Sequence, residues 1–265
     1  LRRAGLDERG EAVSLTTIGF IELDQGDFER AHEHFGSALA IRQRIADHEG
    51  AIQTQIGLGK LAFYRGRYDE AGALYSAALD SAREMNSRLF QSHLLNHLAE
   101  IQLALGESDG AHALLHEARA LALSLRDQRA LAEIENNLGL VALQRSDPEV
   151  EQQLTAALTQ AHAYGTREAI ALAERGIARM RARTLFDESG LATTDAESRF
   201  RESIRVFDEC GNAREAAKTR AELGYYLIER GATPRAKAAL SEAYEAMKRL
   251  QLPDLTQVSE TLAQL

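Results

Sequence analysis

Apolar and polar positions alternate along this chain in blocks that return at a fixed interval. In the first block Ile18-Gly19 is followed by Ala31, Phe35 and Ala38. The same order comes back as Leu58-Gly59 with Ala71, Tyr75 and Ala78, and as Leu98-Ala99 with Ala111, Leu115 and Ala118. Three more blocks follow: Leu138-Gly139 with Val150, Leu154 and Ala157; Ile177-Ala178 with Ala196, Phe200 and Ser203; Leu223-Gly224 with Ala236, Leu240 and Ala243. The small residues at 19, 59, 99, 139, 178 and 224 are separated by 40, 40, 40, 39 and 46 positions. A sustained period of this size marks a stack of supersecondary units, each burying its apolar face against its neighbours. Within a block, Ala31, Phe35 and Ala38 are four and three apart and therefore share one face of a helix. Each block thus predicts two helices: a first carrying the small residue, and a second whose alanines admit a close neighbour while the large residue fills the space beside it. A mid-helix glycine costs about 1 kcal/mol against alanine, so glycine or alanine at all six places points to close packing.

The boundaries follow from turn and cap residues. The units read as 7–46, 47–86, 87–126, 127–165, 166–212 and 213–250. Gly26-Asp27, Gly66-Arg67, Gly106-Glu107 and Gly231-Ala232 are placed to turn the chain inside a unit. Asp47-His48-Glu49-Gly50 and Gly211-Asn212 read as polar turns between units. The fourth unit is one residue short, with Ser146-Asp147-Pro148 replacing the glycine turn and Pro148 suited to a first helical position. The fifth carries six extra residues between Ala178 and Ala196. They are expected to form an extended loop or longer helix ends over 185–193, either a neutral insertion or an added contact, with Thr194 and Glu197 as a capping box restarting the helix. After Pro253, Leu255, Val258, Leu262 and Leu265 share a face and predict a capping helix over 253–265. Leu6 to Ala12 lines up with the unit junction Ala46 to Ile52, so residues 1–5 read as the end of a preceding helix and the chain as part of a longer protein.

The order Leu-Gly, then Ala, a large apolar residue and Ala, resembles the tetratricopeptide repeat over nearly the whole chain. Trp is absent, as is the usual proline after the second helix. The longer unit resembles the 40-residue-period subclass of Pins/LGN-type adaptors and of the repeat arms of bacterial LuxR-like and other signalling proteins; Asn136-Asn137-Leu138-Gly139 is especially similar to the adaptor form. The resemblance implies an all-α, right-handed superhelical solenoid of about six helix pairs with a C-terminal capping helix. It also implies a concave groove lined by the first helices.

Positions carried over from that pattern give the candidate partner-binding residues. They are Phe20 in the first unit, with Thr16 and Thr17 beside it, and Lys60 and Tyr64 in the second, with Gln53. His93, Asn96, His97 and Glu100 follow in the third, and Glu133, Asn136 and Asn137 in the fourth. Arg175, Arg179 and Arg183 belong to the fifth, and Lys218 and Tyr225 to the sixth, with Glu222. Asparagine both donates and accepts, so it can hold the backbone of an extended peptide. Arg175, Arg179 and Arg183 are four apart and stacked on one helix face. That arrangement calls for compensation, either by acids such as Glu174, Glu222 and Glu229 or by an acidic partner. Thr16 and Phe20 stand where a clamp for chaperone tails needs Lys and Asn, so that specificity is not expected.

Composition narrows the function class. With 31 basic and 40 acidic residues the chain carries −9, unsuited to nucleic acid as a bulk partner. Hydrophobic content of 45% with three prolines fits an all-helical protein. The lone Cys210 permits no internal disulfide, no apolar run is long enough for a membrane helix, and a cytoplasmic protein is expected. His93 and His97 have metal-ligand spacing but lack a metalloprotease signature; His112 and His116 share that spacing on a second helix. Gly57-Leu58-Gly59-Lys60 lies in a helix and is no phosphate loop. No nucleophile–base arrangement stands out, so no enzyme activity, cofactor or metal is expected. The expected function is a non-catalytic scaffold binding another protein or peptide, one with acidic residues. The alternative is a peptide- or ligand-sensing arm of a larger bacterial signalling or transcription regulator, contacting upstream domains.

Overall fold

In a computed structural model the backbone is described for residues 2–183 and 191–265, and side chains are described from residue 8 onward except 184–194. The described residues form thirteen α-helices and no strand. They fall into two units, Leu1–Leu125 and Arg126–Leu265.

The first unit holds three helix pairs: α1 (Arg2–Gln25) with α2 (Phe28–Arg44), α3 (His48–Tyr64) with α4 (Tyr68–Glu84), and α5 (Arg88–Leu105) with α6 (Ser108–Leu125). Each helix packs on the next, and α3 lies beside both α1 and α5. The second unit continues with α7 (Gln128–Arg145) and α8 (Val150–Tyr164), α9 (Arg167–Arg183) and α10 (Leu191–Glu209), and α11 (Ala213–Glu229) and α12 (Thr233–Arg249); the short α13 (Leu255–Ala263) closes on α12. Both units are therefore solenoid-like stacks of paired helices, with each contact local to adjacent elements.

The small-to-large pattern is the packing rule. Ala31, Ala38, Ala71, Ala78, Ala111, Ala118, Ala157, Ala196, Ala236 and Ala243 are all buried on second helices, as are Phe35, Tyr75, Leu115, Leu154, Phe200 and Leu240. A methyl group on Gly59 would stand 2.3 Å from the Tyr75 ring, and one on Gly224 2.5 Å from Leu240. A second register runs alongside it. Gly57 and Gly176 lie two residues before the small position of their own helices, and they admit the large residue of the preceding pair. A methyl on Gly57 would come within 2.5 Å of Phe35, and one on Gly176 within 3.0 Å of Leu154. Phe35 is thus held between Gly19 and Gly57, and Leu154 between Gly139 and Gly176.

The turns behave as the sequence leads one to expect. Gly26, Gly66, Gly106 and Gly231 adopt left-handed backbone, with φ from 71° to 81°, and Gly211 does so ahead of the N-cap Asn212. Elsewhere the boundaries shift. Asp47 caps α3 through the Gly50 N–H, and the turn is made by Ala46 (φ 54°); His48, Glu49 and Gly50 are the first turn of α3 and not a loop. Pro148 precedes α8 by two residues, because the Asp147 carboxylate accepts the Glu149 N–H and holds a turn there. Residues 2–5 continue without a break into α1, so they do not form the end of a separate helix. The insertion expected over 185–193 falls largely outside the described residues. The helix after it begins at Leu191, which puts Thr194 inside the helix and not at its cap.

Candidate functional site

The candidate residues of the first unit divide by burial. Phe20 is half-buried and packs edge-on to Phe35, ring centres 5.1 Å apart. Thr16 is buried, donates to the Ala12 carbonyl and meets the Thr54 hydroxyl at 3.4 Å; Thr17 is exposed. Lys60 and Tyr64 are half-buried on α3, and Gln53 is exposed. On α5, His93 and Glu100 are half-buried, while Asn96 and His97 are buried. His97 occupies the register of Gly57 and stacks on Tyr75 at 5.2 Å, with its Nδ1 3.1 Å from Glu100. It works first as a packing residue: its flat ring fits between helices where a glycine stands in the previous pair.

In the second unit Glu133 is half-buried on α7, and Asn136 and Asn137 are buried at 3% and 7% exposure. The sequence expectation put both asparagines on an open groove. The Asn136 Oδ1 instead sits inside, without a hydrogen-bond partner, near Gly176 of α9.

The arginine ladder is compensated from within. Arg175 is buried; it donates to Glu215 at 2.6 Å and to the Thr219 hydroxyl at 3.3 Å, and its guanidinium lies over the Phe207 ring. Arg175 therefore points into the fold, where its acid is already supplied. Arg179 forms a two-pronged pair with Glu222, at 2.7 and 2.5 Å. Arg183, exposed at the helix end, donates to the Leu143 carbonyl. The acids face the ladder because α11 crosses beside α9 and presents Glu215, Thr219 and Glu222 on successive turns.

Several cations act on Glu215. Arg214, also buried, pairs with the same carboxylate, and Lys218 lies close enough to act on it. Burial alone would raise the Glu215 carboxyl; Arg214, Arg175 and Lys218 more than reverse this and hold it well below the ordinary carboxylate range. Three cations thus act on this carboxylate. Lys218 reaches a second carboxylate, Asp254 at the head of α13, only at 3.7 Å, and its side chain keeps 28% of its exposure. Burial and the neighbouring Arg214 push its amine down from its usual value against the pull of Glu215 and Asp254. Glu222, beside Arg179, is also held low despite burial. Tyr225 completes the rim: half-buried, its hydroxyl meets Thr261 of α13, and burial pushes its pKa up. The floor of this face is therefore Arg175, Arg214, Glu215 and Thr219, and its accessible edge is Lys218, Arg179, Glu222 and Tyr225.

Sequence reasoning missed Arg214, Glu215 and Thr219. The repeat gives no signal for them: the step across the fifth unit is 46, so the position equivalent to Arg175 is Ala221, and Glu215 lies 40 positions beyond Arg175. Among the described residues no group of three or more His, Cys, Asp and Glu side chains converges as a metal centre, and no helix is long and apolar enough to cross a membrane.

Residues 10–84, from α1 to the end of α4, match the tetratricopeptide repeat family model. No curated protein matches the chain. Among solved structures the chain is similar to a Rap protein complexed with Competence and Sporulation Factor, with a TM-score of 0.65 and 12% identity over 92% of this chain and 78% of that one. It is also similar to BtubC (BKLC) from P. vanneervenii, with a TM-score of 0.50 and 18% identity over 87% of this chain and 86% of that one. At these identities the likeness is one of fold: helical repeats of the tetratricopeptide kind.

Proposed function

We propose that the protein is a non-catalytic scaffold that binds another protein or peptide along its first helices, and that the second unit takes an acidic group of that partner at Lys218. One observation supports the reading: Arg175, Arg214 and Lys218 all act on the Glu215 carboxylate, and of these three it is Lys218 that reaches the accessible edge. A partly buried ammonium beside like charges is costly to the fold, and an incoming carboxylate relieves that cost. Arg175 and Arg179 already have their acids, so they shape and orient the face and Lys218 meets the ligand. Tyr225 supplies the apolar contact next to it. In this reading the protein works in the cytoplasm.

The test is fluorescence anisotropy with a panel of labelled ten-residue peptides containing Glu or Asp, each beside its Gln or Asn counterpart. Wild type is expected to retain some acidic peptides and to release their amide counterparts. Lys218→Gln should lose that preference while its urea midpoint stays the same or rises. Equal binding of acidic and amide peptides by the wild type, or unchanged selectivity in Lys218→Gln, would sink the proposal.

A second reading is a sensing arm of a larger bacterial regulator, of the kind the 40-residue subclass suggests. What favours it is the fold likeness to a Rap protein complexed with Competence and Sporulation Factor. Under that reading the same face would bind an acidic segment of the longer chain, and free peptides would compete with it.

A further inference from the structure

The second helix of the third pair carries a feature that peptide binding does not use. His112 and His116 lie one turn apart on the outer side of α6, whose other face is fixed by the fully buried Ala111, Leu115, Ala118 and Ala122. Their Nε2 atoms approach to 3.0 Å, with ring centres 4.2 Å apart and ring planes at 60°. His112 is half-buried and His116 exposed, so solvent reaches the pair. When both rings are neutral, one Nε2–H donates to the other nitrogen. Both nitrogens then point at the space where that shared proton sits.

A metal ion can take the place of that proton. Imidazole nitrogens bind first-row divalent ions at about 2.0–2.1 Å. Two of them at 90° are then about 2.9 Å apart, and at the tetrahedral angle about 3.3 Å. The observed 3.0 Å lies close to such a bite, and the affinity order of nitrogen sites for first-row divalent ions favours Ni²⁺ and Cu²⁺. We infer that His112 and His116 form a two-histidine chelate for Cu²⁺ or Ni²⁺ on the surface of α6. Among the described residues no third His, Cys, Asp or Glu joins them, so water fills the other positions. Two other histidines have a ring nitrogen engaged by a carboxylate. His97 is stacked on Tyr75 and tied to Glu100, and the Nδ1 of His34 is held by Glu22.

The probe is Ni²⁺ alone, added to the full chain in a Cys210→Ser background, because Cys210 is exposed and its thiol would compete. Isothermal titration should give one site, and the metal should raise the thermal midpoint because it binds the folded helix and not the unfolded chain. His112→Ala and His116→Ala should each weaken binding by roughly tenfold or more and abolish the thermal shift. His162→Ala, an exposed histidine on α8, should behave as the parent does. Titration with Cu²⁺ should bind more tightly still, with a two-nitrogen signature in the electron spin resonance spectrum. Circular dichroism keeps the comparison valid by showing that each variant is still helical. The assignment falls if the parent takes up no Ni²⁺, or if either His112→Ala or His116→Ala binds it as the parent does.

Discussion

Single glycines carry much of the packing, and they are not equivalent. A methyl on Gly59 would stand 2.3 Å from Cε1 of the buried Tyr75, leaving the ring nowhere to go. Gly36 on α2 has nothing within 4 Å of its missing methyl. Gly59→Ala is therefore expected to destabilise by about 1–3 kcal/mol, and Gly36→Ala to stabilise by about 0.5–1 kcal/mol through lost chain entropy. Urea unfolding of the two variants checks both signs; a Gly59→Ala protein as stable as the parent would mean that the helices are not in contact there. The same scale explains why an acidic triple substitution of the ladder would be a poor probe of binding. Arg175→Glu would face Glu215 in a buried site and unfold the region, whereas Lys218→Gln leaves the buried pairs intact.

Between elements, a charge cluster joins α9 to α11 in the second unit. Removing one partner of a buried pair leaves the other uncompensated, which costs about 3–5 kcal/mol, so Glu215→Gln should lower stability at neutral pH. The pH dependence follows from the sign of the shift. The folded-state pKa of Glu215 is depressed, so its contribution is complete above its unfolded value near 4.5 and is lost as pH falls toward the folded one. The parent should lose more stability than Glu215→Gln as the pH drops from about 5; denaturant melts at stepped pH measure it, and parallel curves would contradict the assignment. Turns between elements give a second expectation. Ala46 holds a left-handed backbone, φ 54°, that costs a non-glycine residue about 1–2 kcal/mol. Ala46→Gly should recover part of this and raise the urea midpoint.

At the scale of the whole molecule, contacts run between neighbouring helices, so perturbations should stay local. Hydrogen exchange on Gly59→Ala is expected to show faster exchange in α3, α4 and α5 with α11 and α12 unchanged. Uniform acceleration along the chain would indicate a single cooperative unit and contradict the two units of the fold. The charge of −9 also takes on meaning here. In an acidic protein the proposed recognition of an acidic group would act at short range, where Arg175, Arg214 and Lys218 lie around Glu215.

What the sequence by itself determined was the periodic part of the protein. The interval of about 40 residues, the small residue on each first helix, the small–large–small face of most second helices and the glycine turns of four units are local requirements that recur along the chain, so one chain displays them without a partner. The role of Gly57 and Gly176, two positions ahead of the small residues, emerged only from the packing, where each admits the large residue of the preceding pair. Tertiary structure alone decided which polar residues face outward. His97, Asn136, Asn137 and Arg175 are polar by type, but neighbouring helices close over them, because burial of a polar group depends on whether another helix brings a ring or a carboxylate to meet it. The pairing of Arg175 with Glu215, and the approach of the His112 and His116 nitrogens, depend likewise on side-chain directions that spacing permits and only packing selects.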